Sequence, residues 1–424
     1  MSAEQPFVVA VAALAAAVFV GSWVVVQRSV DPAREIVDTP VYQSYGEAVV
    51  SRHEVPYRDF RLEYPPGALP AFVVPSLIES ENSATAYKRS FGWLMAACGA
   101  AVVLLAVAAL LALEARPARI AGGLAFVALW PLALGPVELT RFDLWPSALS
   151  LAALAAFVAG RDRIGSGVLA AAVAAKLYPA VLVPLAAVWI WRRRGRRSLL
   201  ACGGIFAGVL LAAFVPFLVL APDGVTGSIG RQLTRPLQIE SLGAAVLAVL
   251  HNAAGADVQV ISGRGSQNLA GVLADSVAGA TTAVQVAALI AVWVAFARGP
   301  ASGERLVRYA ALALVVFVAF GKVLSPQFMI WLVPFVPLVA GRRGLVASAL
   351  LAAGLFLTQR WFPNRYWDYA LRFDEQVTWI VLARDLLLVA LAGVLAAPMR
   401  WARAPAHTTE RAHPDRTRPA LPRS

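Results

Sequence analysis

The sequence predicts an all-α, polytopic integral membrane protein with about 10 to 12 transmembrane helices and a long extracytoplasmic loop after the first of them. Three observations carry that expectation. Hydrophobic residues make up 59% of the 424 positions and charged residues only 15%, against roughly 25% charged residues in a soluble domain. Apolar runs recur along nearly the whole chain at the length a helix needs to cross the hydrocarbon. Arginine-rich clusters punctuate those runs at intervals that alternate across a bilayer. A closed β-barrel is excluded because runs such as Val102 to Leu113 are continuously apolar and lack the alternation of a barrel strand.

The first run, Phe7 to Val26, lacks a basic leader and is long enough to span, so it reads as a first span rather than a signal peptide. Basic clusters at 116–119, 161–163, 192–197, 298–308, 342–343 and from 400 onward mark the cytoplasmic side by the positive-inside rule. That assignment places both termini in the cytoplasm. Spans are then expected near 7–26, 91–113, 119–137, 144–160, 164–177, 179–191, 199–221, 269–297, 309–321, 326–341, 344–359 and 379–397. The stretch from Ile164 to Trp191 starts and ends among arginines, so it cannot cross once. Lys176-Leu177-Tyr178-Pro179 breaks it, because proline disfavours helix at the residue before it and removes a backbone donor. Irregular backbone at that depth is tolerated where it is buried in protein or borders a polar cavity.

The remaining segments are outer loops and a tail. Residues 27–90 form the main polar loop within a membrane domain of 1–402. In 222–268, the apolar stretch Leu242 to Leu250 is too short to span and is expected along the interface. In 359–378, Trp361, Tyr366, Trp367 and Tyr369 read as interface anchors. Residues 403–424 are polar and rich in Pro and Arg, a disordered basic cytoplasmic tail. The net charge of +12 does not imply nucleic acid, since the arginines are not clustered with aromatics on a soluble face. Cys98 and Cys202 each lie in an apolar run, which supports neither a disulfide nor a cysteine metal site. No internal repeat is visible.

Lysine is the informative residue, because it occurs only at 88, 176 and 322 among 37 Lys and Arg. Lys176 lies at the outer break, and Lys322 opens Lys322-Val-Leu-Ser-Pro-Gln327, a second proline-broken junction on the same face. An ionisable group in hydrocarbon costs several kcal/mol unless paired, so each is a functional candidate; the structural alternative is snorkelling to the interface. A third junction, Glu138-Leu-Thr-Arg141-Phe-Asp143, adds Arg141 and Asp143, which could instead simply pair with each other. Three cations beside a carboxylate-rich loop suit a phosphate-bearing ligand, a lipid phosphate in this setting. Within the loop stand Asp38-Thr-Pro-Val-Tyr42 and Pro56-Tyr57 to Glu63-Tyr64-Pro65-Pro66. Asp38 could act as a general base toward an acceptor hydroxyl. The structural alternative is a solvated aspartate or an N-cap for a short helix.

At these residues the chain resembles glycosyltransferase family 87. The shared pattern is Asp38-x-x-x-Tyr42 after the first span, Pro56-Tyr57 followed by Glu63-Tyr64-Pro65-Pro66, Lys176-Leu-Tyr178-Pro at a broken span, and Lys322-Val-Leu-Ser-Pro-Gln327-Phe near the end. It runs over about 7–395. The resemblance implies a fold of the GT-C superfamily and similarity to the polyprenyl-phosphate-mannose-dependent mannosyltransferases of actinobacteria. It implies a carboxylate base in the first outer loop, which maps onto Asp38; the family more often has Gly where Val37 stands. Asp31, Asp59 and Glu63 remain alternative bases, Glu63 foremost. It also implies that Lys176, Tyr178, Lys322 and Gln327 surround the donor, with Arg141 and Asp143 beside them, and Tyr42, Tyr57 and Tyr64 as loop contacts.

No Asp-x-Asp pair or His cluster marks a metal site, and cations alone can stabilise a phosphate leaving group, so transfer without metal or other cofactor is expected. The partners so implied are a polyprenyl-phosphate-sugar donor, a glycolipid or lipoglycan acceptor of the cell envelope, and membrane lipids. A transporter or flippase of a lipid-linked or polar substrate is the alternative. Transporters often carry internal repeats and midplane charges, neither of which this chain shows.

Overall fold

The computed structural model describes residues 4–30, 36–79 and 83–398. Asp31 and the basic tail expected at 403–424 lie outside the described residues. The chain is almost wholly helical: α1 (Glu4–Ser29), α2 (Thr39–Val50), α3 (Leu69–Ile78), α4 (Ala84–Ala112), α5 (Pro117–Leu134), α6 (Leu144–Val158), α7 (Asp162–Ala175), α8 (Val183–Leu220) and α9 (Pro222–Leu233) form the first part. After strand β1 (Leu237–Gln238) come α10 (Leu242–Ala254), β2 (Gln259–Gly263), β3 (Ser266–Ala270), α11 (Val272–Arg298), α12 (Gly303–Ala319), α13 (Met329–Leu332), α14 (Gly341–Trp361), α15 (Tyr366–Arg372) and α16 (Glu375–Ala396).

Seven helical stretches among the described residues are long and apolar enough to cross a membrane: 8–29, 84–112, 117–140, 178–220, 272–298, 341–361 and 375–396. All twelve expected spans fall on helical segments, but α6, α7, α12 and the turns of 326–338 are shorter than a full crossing. Two expected spans, 179–191 and 199–221, lie on the two helices that make up α8, which meet at a non-helical Gly195 (φ 78°, ψ −179°). That positive φ costs a glycine nothing, so the helix can turn among its arginines without a strained residue.

The bundle packs α1 on α5 and α4, α6 on α4 and α7, α7 on α8, α11 on α12, and α14 and α12 on α16. Arg119, Arg192, Arg308 and Arg343 gather at one end. Arg119 pairs with Glu304 and reaches the Leu338 carbonyl, Arg192 reaches the Gly299 carbonyl, and Arg308 and Arg343 donate to carbonyls at 395–398. These contacts satisfy helix-terminal carbonyls that otherwise lack partners. The opposite end gathers the junctions at 36–38, 135–143, 176–178 and 321–328, covered by the loop between α1 and α4.

That loop is folded rather than open. Tyr42 of α2 stacks on Phe72 of α3 with ring centroids 4.6 Å apart, and both rings contact Tyr64 and Phe142. Tyr42 and Phe72 are fully buried, each worth about 1.5–3 kcal/mol by burial, with up to ~1.5 kcal/mol more per ring pair. The turn at Pro66–Ala68 is pinned to the bundle at Gly67, whose carbonyl accepts from Trp145 Nε1 at 3.0 Å. A Cβ there would stand 2.6 Å from the Ala174 carbonyl carbon, so only glycine lets the loop sit on the end of α7. A small antiparallel sheet of order β1-β3-β2 departs from the all-helical expectation. Its hairpin turns at Arg264-Gly265, both with positive φ (56° and 71°), the backbone that two-residue hairpin turns require.

Candidate active site

Asp38 is the N-cap residue of α2, as one alternative expected, but its side chain makes no capping bond. One carboxylate oxygen, Oδ2, pairs with Arg141 and accepts from the Tyr42 hydroxyl at 3.2 Å. Burial pushes the Tyr42 hydroxyl well above its ordinary range, which keeps it a donor. Oδ1 has no hydrogen-bond partner among the described residues, and the side chain is 33% exposed. Arg141 is almost fully buried and also donates to the Ile36 carbonyl at 3.1 Å, which fixes the segment leading into Asp38. Its Nε is buried without a partner.

Directly beside it, Asp143 is fully buried and accepts from Lys176 Nζ at 2.6 Å and from Trp331 Nε1. The Lys176 ammonium lies 4.6 Å from the Phe142 ring centroid, 5.2 Å from Trp331, 5.9 Å from Tyr64 and 6.0 Å from Phe328. An ammonium inside aromatic faces retains part of the stabilisation it loses with water. Tyr178 stacks on Trp331 at 4.1 Å and shares a hydrogen bond of 3.1 Å with Ser147. The two acids and two cations therefore pair across junctions, Asp38 with Arg141 and Asp143 with Lys176, and not Arg141 with Asp143. Gln327 accepts from Ser325 at 3.0 Å, in the turn that carries Phe328.

The other loop residues flank this core. Tyr57 donates to the Tyr64 carbonyl at 2.6 Å and packs edge-on against Phe217. Tyr64 is T-shaped on Phe142 at 4.8 Å. Asp59, one of the alternative bases, is exposed and bound by both Arg58 nitrogens at 2.9 Å, which hold its carboxyl down to about 2. Glu63 lies toward the hairpin, with its carbonyl accepting from Gln232 at 3.3 Å.

Lys322 does not join Lys176. Its ammonium donates to the Leu233 carbonyl at 3.2 Å, and its carbonyl accepts from the Gln238 backbone at 3.0 Å. It lines an open cavity of about 610 Å³ together with Arg235, Arg264, Thr234 and, on α11, Asp275, Gly279 and Thr282. Arg264 is held by the Thr234 carbonyl at 2.7 Å, and Arg235 by Ser266 at 2.8 Å. Helix α11, which lends Asp275, Ala278, Gly279 and Thr282 to the cavity, carries Val272, Leu273, Val284, Val286, Ile290 and Val294 exposed along its length.

Arg235, Arg264, Trp331 and Ser147 were not singled out in the sequence. The turn signal Gly-Arg-Gly between Val-Ile-Ser and Ser-Gln marks the hairpin that the all-α expectation overlooked, but nothing local says that its turn arginine reaches Thr234. Trp331 sits in an apolar run where an indole reads as packing.

No family model and no curated protein matches the chain. Among solved structures it is similar to ArnT from Cupriavidus metallidurans, a crystal structure bound to undecaprenyl phosphate. The identity is 14%, the match covers 93% of this chain and 77% of that one, and the TM-score is 0.48.

Proposed function

We propose that this membrane protein is a glycosyltransferase that moves a hexose from a polyprenyl-phosphate donor to a hydroxyl of a glycolipid or lipoglycan at the extracytoplasmic face. The supporting observation is the pairing of one half-open carboxylate with a basic, lipid-side cavity at the same end of the bundle. Asp38 presents Oδ1 while Arg141 and Tyr42 fix Oδ2. Arg235, Arg264 and Lys322 line the cavity beside exposed apolar α11.

In the step so assigned, Oδ1 removes the acceptor hydroxyl proton as that oxygen bonds to the anomeric carbon. The bond from that carbon to the phosphate oxygen breaks, its electron pair leaves on the phosphate, and the configuration inverts. Of the cations at this end, Arg141 and Lys176 are already neutralised by carboxylates, so the departing phosphate falls to Arg235, Arg264 and Lys322. The prenyl chain would lie along α11. Glu63 is the second carboxylate of this region and the alternative base. Mannose as the transferred sugar rests on the sequence resemblance.

Purified protein in liposomes, given polyprenyl-phosphate-[14C]mannose and a crude glycolipid acceptor, is expected to form a labelled covalent product. Passage of label across the bilayer without covalent product would replace the transferase with a flippase.

A further inference from the structure

The end of the bundle opposite the proposed active site carries a surface that takes no part in the chemistry above. Three turns meet there. The first, between α6 and α7, holds Arg161 and Arg163; the second is the break in α8 at Gly195, with arginines at 192–194, 196 and 197; the third, between α11 and α12, holds Arg298 and Arg305. Side chains tie them together. Arg194 pairs with Asp162 at 3.4 Å, and Trp189 donates to the same carboxylate at 3.2 Å, which seats the first turn on the second. Arg192 donates to the Gly299 carbonyl, and Arg305 donates to the carbonyls of Ala295 and Phe296 at 3.0 and 3.2 Å, which seats the third turn beside them. The Arg193 guanidinium lies 4.2 Å from the Trp189 ring centroid.

Five guanidinium groups are left over. Arg161, Arg163, Arg196, Arg197 and Arg298 are exposed, and none makes a side-chain hydrogen bond or ion pair among the described residues. The acids of the three turns are already engaged, Asp162 by Arg194 and Glu304 by Arg119. Like charges gathered on one face repel one another and build a positive potential that draws in anions. Orienting the chain across a bilayer requires only enough basic residues beside the spans. It does not require turns lashed together with guanidinium groups to spare. Apolar surface continues from the same turns: Ile164, Trp191 and Leu200 are 55%, 59% and 63% exposed, and each lies within one helical turn of an exposed arginine in the sequence. A soluble anion would use the arginines alone. A phospholipid uses both, its phosphate among the guanidinium groups and its acyl chains along the indole and aliphatic side chains.

We infer that this face is a binding site for an anionic phospholipid, whose phosphate is held between the α6–α7 turn and the α8 break by Arg161, Arg163, Arg196 and Arg197. The inference does not depend on the transferase reading.

The test is native mass spectrometry of the full chain from mixed micelles containing equal amounts of dioleoylphosphatidylglycerol and dioleoylphosphatidylcholine. Wild-type protein is expected to retain the phosphatidylglycerol preferentially. Arg196→Gln with Arg197→Gln, and separately Arg161→Gln with Arg163→Gln, are each expected to cut that preference at least about tenfold, the scale that two basic side chains contribute near anionic lipid. All four side chains lie on the surface, so neither pair is expected to change the amount of folded protein. Arg116→Gln with Arg342→Gln removes the same charge from exposed positions at the same end but outside the three turns, and is expected to leave the preference unchanged. An equal loss in that control would overturn the inference in favour of diffuse attraction, and wild-type protein without a preference would overturn it outright. Inorganic phosphate that displaces the lipid at equal concentration would overturn the phospholipid as occupant in favour of a free phosphate.

Discussion

Replacing Lys176 with Met isolates the pair on which the aromatic cage is built. Asp143 is fully buried, and Lys176 is its one charged partner among the described residues, at 2.6 Å. Its Oδ2 has no partner and its Oδ1 would keep only the Trp331 indole. Removing one member of a buried pair typically costs about 3–5 kcal/mol, because the survivor is left as an uncompensated charge. Loss of the ammonium–ring contacts adds ~1 kcal/mol. Asp143→Asn alone costs less, since Lys176 is 14% exposed and can reach water. The combination Lys176→Met with Asp143→Asn then removes both charges while the indole still has an oxygen to bind. It is expected to recover more than half of the loss, a coupling of about 2–3 kcal/mol. Thermal unfolding of the detergent-solubilised variants, read by tryptophan fluorescence at one scan rate, gives the comparison. A double variant as unstable as the sum of the single ones would refute the pairing and return Lys176 to the phosphate.

Further expectations concern the loop and pH. Gly67→Ala brings a methyl against the Ala174 backbone, and it is expected to lift the loop and lower transfer at least tenfold, with little change in the amount of folded protein; unchanged turnover would show that the seating is unimportant. Burial pushes the Glu240 carboxyl up to about 7, so it gains a proton as pH falls below neutrality. The same raised value gives a stability contribution that is present below the ordinary carboxyl range and lost as pH rises through about 7, of order 3 kcal/mol. Chemical denaturation across that range checks the sign.

The bundle was legible because hydropathy and basic clusters are local properties. All twelve expected spans fall on helical segments, and the arginines at 116–119, 192–197, 298–308 and 342–343 gather at one end as expected. Partnership was not legible. Arg141 and Asp143 are two residues apart, which suggests a mutual pair, but the extended backbone at Arg141 sends it to Asp38 while Asp143 turns to Lys176. Lys176 and Lys322 look alike in sequence, each before a proline-broken turn. They separate because β1 binds the Lys322 carbonyl and draws it toward Arg235 and Arg264. The buried Arg384 donates to the Glu240 carbonyl, a contact across more than 140 residues that no window of sequence contains.

The central claim, that Asp38 is the base of a sugar transfer, is tested by Asp38→Asn in liposomes supplied with polyprenyl-phosphate-[14C]mannose and acceptor. The amide keeps the side chain's shape and an oxygen for Tyr42 and Arg141 but cannot take the proton. Transfer is expected to fall about 10²–10⁴-fold with donor binding intact. Wild-type turnover in Asp38→Asn, with the loss appearing instead in Glu63→Gln, would contradict the account.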